Sequence, residues 1–275
     1  MITSFLSMQT FSIAFPTISP ILISIGPLDI RYYSLAYIVS VLIGLLYIKQ
    51  LNKQSKLIDI SNKKYKEFFA DILFYGVLGV ILGGRLGYVF FYNPLYYLSN
   101  PFSILEVWTG GMSFHGGAIG VVFAMYLLSK KYKYSFIGLL DIIAPAVPIG
   151  LFLGRIANFI NAELYGKATN VWWAVEFPGV LNARHPSQLY EAFLEGFILF
   201  LVALVMWKNN QYLHKGRISG VLLLLYGVFR VLVEFVREGE IYFVGVISMG
   251  QILSLPMIII GFYLLYSSYK QNVKS

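Results

Sequence analysis

Apolar residues in this chain gather into long stretches broken by short polar segments. A helix crossing a bilayer needs about 20 mostly apolar residues, because the hydrocarbon core is roughly 30 Å thick. Seven windows meet that need: Tyr32 to Ile48, Phe69 to Tyr92, Ser113 to Leu128, Phe136 to Leu153, Tyr190 to Trp207, Gly220 to Val236 and Ile247 to Tyr266. Some contain proline, as at Pro145, Pro148 and Pro256, which membrane helices tolerate when neighbours satisfy the freed backbone groups. The pattern predicts an all-α polytopic membrane protein of seven transmembrane helices. Residues 1–31 are apolar but broken by Pro16, Pro20 and Pro27 and lack the basic start of a secretory signal, so they are expected to be retained at the outer interface. The bundle then runs over about residues 32–266 and a cytoplasmic tail over 267–275, all in one integral domain, 1–275.

Composition agrees: 58% of residues are hydrophobic and only 12% charged. The cations are unevenly placed. Lys49, Lys53, Lys56, Lys63, Lys64 and Lys66 fall between the first two windows; Lys130, Lys131 and Lys133 between the third and fourth; Lys208, Lys215 and Arg217 between the fifth and sixth; Lys270 and Lys274 in the tail. Positive loops are retained on the cytoplasmic side, so the N-terminus is expected outside and the C-terminus in the cytoplasm. The net charge of +8 is thus accounted for by topology and anionic lipid, without nucleic acid. Cysteine is absent, which removes disulfides and thiolate chemistry from the chain itself.

Against this background a few polar clusters stand out. In GRIANFINAELYG, Arg155 and Asn158 share a helix face at the outer end of the fourth window, with Glu163, Tyr165 and Gly166 following. Arg155 either snorkels to the interface, with the asparagines as caps, or serves a site. In the sixth window Tyr226, Arg230, Glu234 and Arg237 recur at intervals of four, four and three, on one face. An arginine there costs roughly 2.5–3.5 kcal/mol on insertion scales, so it faces a partner or a polar cavity. Either Arg230 and Glu234 merely pair within the bundle, or they line such a cavity. In TGGMSFHGG the glycines permit close backbone approach, the helix start suits an anion, and His115 can exchange a proton near neutral pH. Arg85 lies among glycines in LGGRLGY, where bonding to carbonyls in a packed helix is the competing account. His185, in RHPSQLYE, stands at a helix entrance and is a candidate cap.

The strings GMSFHGG, GRIANFINAELYG, RHPSQLYE, YGVFRVLVEF and ISMGQILSLPM, in this order, resemble the bacterial phosphatidylglycerol–prolipoprotein diacylglyceryl transferase family over nearly the whole chain. The resemblance implies a seven-helix enzyme of the bacterial cytoplasmic (inner) membrane, its active site toward the periplasm. It would move the diacylglyceryl group of phosphatidylglycerol to the lipobox cysteine of a prolipoprotein, leaving a thioether and releasing glycerol phosphate. It also implies a phospholipid-binding arginine at Arg155, with Asn158, Glu163 and Gly166 around it, an essential membrane arginine at Arg230 with Tyr226, a histidine at His115, and Tyr33 in the first segment. Arg85 joins the lipid-binding candidates. The chain departs from the family pattern at Ala157 and Ala162, where glycine is usual, at Arg31, where histidine is common, and in a short outer stretch from Gly166 to Arg184.

The chemistry suits these residue types. Displacing a phosphate ester by a thiol requires neutralised phosphate charge, alignment of carbon and sulfur, and removal of the thiol proton. Guanidinium groups stay charged in a dry site and grip phosphate through two N–H groups. Arg155 is assigned to the lipid phosphate, Arg230 to the departing glycerol phosphate, Tyr226 and Asn158 to orientation, and His115 to the proton. No metal or other cofactor is expected, because the sequence has no HExxH and no acidic cluster. The rival class is a transporter of lipid or solute anions, which uses intramembrane arginines as a path. Such proteins usually carry related halves, and no internal symmetry is evident here.

Overall fold

The computed structural model describes residues 12–26, 28–55, 62–238, 242–243 and 247–272. The expectations resting on residues 1–11, Pro27, Lys56 and the last three residues of the tail lie outside the described residues.

The chain is mostly helical. In order the helices are α1 (Tyr32–Ser55), α2 (Asn62–Phe91), α3 (Pro94–Ser99), α4 (Phe114–Lys131), α5 (Phe136–Ile143), α6 (Val147–Ile160), α7 (Ser187–Glu191), α8 (Leu199–Lys208), α9 (Arg217–Glu234) and α10 (Met249–Asn272). A 3-10 turn at Ala144–Ala146, holding Pro145, separates α5 from α6. A π-helical stretch, Ala192–Ile198, joins α7 to α8. Five segments are long and apolar enough to cross a membrane: Tyr32–Ser55, Glu67–Phe91, Phe136–Ile160, Ser187–Lys208 and Met249–Lys270. The other two predicted spans are α4 and α9, of 18 residues each, which carry lysines or arginines at their ends. Large apolar side chains stand exposed along these helices, Phe91 at 82% and Ile259 at 67% among them. Such surface suits hydrocarbon rather than water. Short strands that the all-helical reading did not contain occur in the first segment and in two later loops. β1 (Ile13–Ala14) pairs in parallel with β4 (Val175–Glu176), β2 (Ile21–Ile25) forms an antiparallel hairpin with β3 (Leu28–Arg31), and β5 (Tyr242–Phe243) pairs with β6 (Ile247–Ser248).

The chain divides into two compact units, one from residues 45–143 and one from residues up to 44 together with 144 onward. In the 45–143 unit, α2 and α4 meet along a seam of glycines. A Cβ on Gly83 would stand 2.3 Å from the Gly116 carbonyl oxygen, and one on Gly120 would stand 2.1 Å from that of Gly79. No side chain fits there, so the backbones touch, as small residues allow in membrane helices. Phe68, Phe69, Met125, Leu128 and Leu139 fill this unit's interior.

In the other unit, α9 packs on α10 through Gly220, Gly227 and Gly261. The π-helical stretch packs on α6, where a Cβ on Gly196 would lie 2.6 Å from Phe152 Cβ. That contact sets the distance between the elements that carry the site.

Candidate functional site

The 144-onward unit buries three glutamates beside three arginines. Glu191 closes α7, Glu195 sits in the π-helical stretch, and both are fully buried. From α6, Arg155 extends Nε to Glu191 at 3.1 Å and Nη2 to Glu195 at 3.6 Å. From α9, Arg230 donates through Nη1 to Glu191 and pairs through Nη2 with Glu234 at 3.0 Å. Arg237, beyond the end of α9, comes within 3.8 Å of Glu191. One carboxylate is thus shared by three guanidinium groups. The arginine side chains keep 12–18% exposure, so the cluster is not sealed.

A network of this kind is expensive to bury, since each ion loses hydration that pairing only partly repays. Its geometry leaves N–H groups over: Arg155 uses Nε and Nη2, and Arg230 uses both terminal nitrogens, leaving Nη1 of the first and Nε of the second free of these carboxylates. The carboxylates hold the guanidinium groups mainly by ion pairing, Arg230 to Glu191 being the hydrogen bond of the cluster among the described residues, while several buried carboxylate oxygens lack hydrogen-bond donors there. The hydroxyl of Tyr226, on α9, interacts electrostatically with Glu195, Arg155, Arg230 and Glu191. Tyr33, near the start of α1, bonds Tyr37 through its hydroxyl at 2.9 Å and senses the charges of Glu163 and Arg155.

The loop after α6 is built from the asparagines. Asn161 caps the helix, Asn158 Nδ2 donates to Glu163 Oε1 at 2.7 Å, and Gln188 Nε2 donates to the Glu163 carbonyl at 2.6 Å. Ser187 Oγ donates to the Leu164 carbonyl at 3.0 Å. Gly166 receives no room for a side chain, since a Cβ would meet the Val236 oxygen at 2.5 Å. Two non-glycine residues, Ala162 and Leu164, hold left-handed backbone, with φ of 53° and 58°. At Ala162, where the resemblance leads one to expect glycine, the left-handed backbone carries a Cβ clash that glycine would avoid.

The 45–143 unit holds the remaining candidates. Arg85 is 3% exposed and donates to the carbonyls of Ser103, Ile104, Gly110 and Gly111, the longest of these bonds being 3.3 Å, with its guanidinium over the Tyr97 ring. It anchors the segment leading into α4, the competing account for this residue. His115 lies exposed in the first turn of α4, which Ser113 caps by accepting from Gly116 N at 3.2 Å. The glycines flanking His115 divide: Gly116 packs on α2, Gly111 lies against Tyr88 and Arg85, and only Gly110 has open space beside it. The reading of all of them as a cradle for a ligand therefore narrows to Gly110.

Arg155, Asn158, Glu163, Gly166, Tyr33, Tyr226 and Arg230 share one unit, and His115 and Arg85 share the other. The sequence reading passed over Glu191 and Glu195. Their signal was present as two acids four residues apart in an otherwise apolar run, YEAFLEGFILF. Among the described residues no group of three or more histidine, aspartate or glutamate side chains is arranged to hold a metal ion.

Membrane-length helices around a buried cluster of paired arginines and carboxylates define a multi-pass membrane protein. The sequence matches the prolipoprotein diacylglyceryl transferase family over residues 20–267. It is 48% identical over 264 residues to the phosphatidylglycerol–prolipoprotein diacylglyceryl transferase of Rickettsia bellii, covering 94% of this chain and 98% of that protein. It is 49% identical over 259 residues to the protein of the same name from Rickettsia felis, covering 92% and 98%. The chain belongs to the prolipoprotein diacylglyceryl transferase family.

Proposed function

We propose that this protein transfers the diacylglyceryl group of phosphatidylglycerol to the lipobox cysteine thiol of a prolipoprotein, with the arginine cluster as the lipid head-group site. The observation that carries this reading is that Arg155 and Arg230, on separate helices, converge on the same buried Glu191. Two fixed guanidinium groups with donors to spare suit a phosphodiester. The thiol sulfur attacks the terminal glyceryl carbon, the bond from that carbon to the phosphate oxygen breaks, and the electron pair leaves with glycerol phosphate. Arg155 grips the phosphate in the ground state, and Arg230 meets the charge that grows on the leaving group. Tyr226 and Asn158 orient it, and Glu163, Gly166 and Tyr33 shape the surrounding loop and helix start. A thiol has a pKa near about 8.5, so a neutral imidazole assists its ionisation, and His115 is assigned that proton. Arg85 supports the segment before His115 rather than the lipid, given its four carbonyl partners.

The reading includes one integral domain of seven spans in the bacterial inner membrane, α4 and α9 completing the five longer ones, with the N-terminus and the site on the periplasmic side. Because the chain has no cysteine, single cysteines placed in the lysine-rich loops and in residues 167–184 report sidedness directly through an impermeant maleimide. For the activity, purified protein, phosphatidylglycerol and a lipobox peptide in proteoliposomes should yield a peptide heavier by one diacylglyceryl group. Lipid movement across the bilayer with no peptide adduct would favour the transporter class instead. Full turnover in His115→Gln would remove the histidine from the proton step.

A further inference from the structure

Beside the arginine cluster lies an open groove of about 390 Å³. Its walls include Tyr190, Leu194, Val233 and Val236, each the residue immediately before Glu191, Glu195, Glu234 or Arg237. The groove therefore runs alongside the cluster on the same two helical segments. Leu232, Trp173 and His185 complete it. The lining is apolar except for one hydrogen-bonded chain. Trp173 Nε1 donates to the Tyr190 hydroxyl at 2.6 Å, and that hydroxyl lies 3.1 Å from His185 Nδ1.

The hydrogen-bonded chain favours one tautomer. An indole nitrogen only donates, so Tyr190 accepts from Trp173 and has its own proton left to give. His185 Nδ1 is its one remaining partner among the described residues, and the arrangement that pairs this proton within the protein has Nδ1 accepting. Burial also lowers the imidazole pKa below its ordinary value, favouring the neutral ring. The neutral ring then carries its hydrogen on Nε2. That nitrogen has no protein partner among the described residues and is not among the sealed-off polar atoms. An apolar groove with one unengaged donor and no unengaged acceptor suits a hydrocarbon chain bearing an acceptor-only group. An ester carbonyl is such a group; a peptide bond is not, because its N–H would be buried without a partner.

We propose that this groove receives one ester-linked acyl chain of the lipid, with His185 Nε2–H donating to the ester carbonyl, so that His185 is a substrate-positioning residue rather than a proton acceptor. The proposal rests on the lipid-transfer reading above. The test compares phosphatidylglycerol with two ester-linked oleoyl chains and its diether analogue, which has the same chains and no carbonyl. One hydrogen bond predicts a KM about fivefold higher for the diether lipid, with kcat little changed. His185→Phe should raise the KM for the diester to the diether value and erase the preference; His185→Gln, which keeps an N–H donor, should partly restore it. Equal KM values in the unaltered protein, or a preference that survives His185→Phe, would overturn the proposal. A second measurement omits the peptide: phosphatidylglycerol with a nitroxide on its acyl chain, diluted into phosphatidylcholine nanodiscs, should quench Trp173 fluorescence saturably, and Trp173→Phe should remove that component. Saturable quenching without any peptide adduct would keep the chain site and discard the transfer reading. Adducts without ester preference would do the reverse.

Discussion

Two buried arginines in this protein are held in opposite ways. Arg85 donates to backbone carbonyls and meets no carboxylate among the described residues, whereas Arg230 is gripped by the side chains of Glu191 and Glu234. Carbonyls are neutral and part of the chain's path, so Arg85 ties a segment in place and its charge has nothing to exchange with. Carboxylates are counter-ions, and a second anion can compete with them for the same N–H groups. The difference separates an arginine that shapes a loop from one held by exchangeable counter-ions, although both lie in apolar helices and look alike in composition.

The comparison is most directly broken by truncation. Arg230→Ala leaves Glu191 and Glu234 buried with too little counter-charge, and should cost about 3–5 kcal/mol of stability as well as at least a hundredfold in transfer rate. Turnover and thermal denaturation in detergent check both effects. Arg85→Met should lower the melting temperature, since several carbonyls lose donors at about 1 kcal/mol each, while the KM of the molecules that do fold stays near normal. A raised KM for phosphatidylglycerol would return Arg85 to the binding residues. A smaller effect is expected from Gly196→Ala. The added methyl would meet Phe152 and push α6 from the π-helical stretch, so Arg155 loses its alignment with Glu191 and turnover falls more than stability.

Acidity offers a finer test. Burial holds His185 neutral, its pKa lowered relative to the unfolded chain. The unfolded state therefore binds the proton more readily in the window just below the ordinary histidine value of about 6.5. Stability should be fully present above that value and decline as pH falls through it toward the folded pKa. His185→Gln should flatten this part of a melting-temperature profile. The smallest change concerns Ala162→Gly, which relieves left-handed backbone and is expected to raise stability by at most about 1 kcal/mol, with activity retained.

Much of the helical order was readable because hydrocarbon demands long apolar runs, and those runs mark α1, α2, the α5–α6 pair and α10 plainly. Arg155 and Arg230 were readable for the same reason, as charges where charges are costly. Glu191 and Glu195 were less plain: Glu191 stands at the edge of its apolar window and passes for a boundary, whereas Glu195, inside the window, was a signal left unread. Spaced four apart, the two share a face on an ordinary helical projection, but the π-helical stretch Ala192–Ile198 departs from the 3.6-residue period along the rest of that segment. The hairpin of β2 and β3 was hidden too, since the prolines of the first segment speak only against a helix. The glycines around His115 were visible, but composition alone does not distinguish a cradle for a ligand from a contact with a neighbouring helix.

The sharing of Glu191 bears on how a reaction cycle would end. A site of bare guanidinium groups would bind a phosphate so firmly that the spent head group would linger. Here an internal anion, Glu191, already stands beside the cations. If the head group binds there as proposed, that carboxylate would reclaim the guanidinium groups as the leaving group loosens, and the site would be reset for its next lipid without first rehydrating three bare charges.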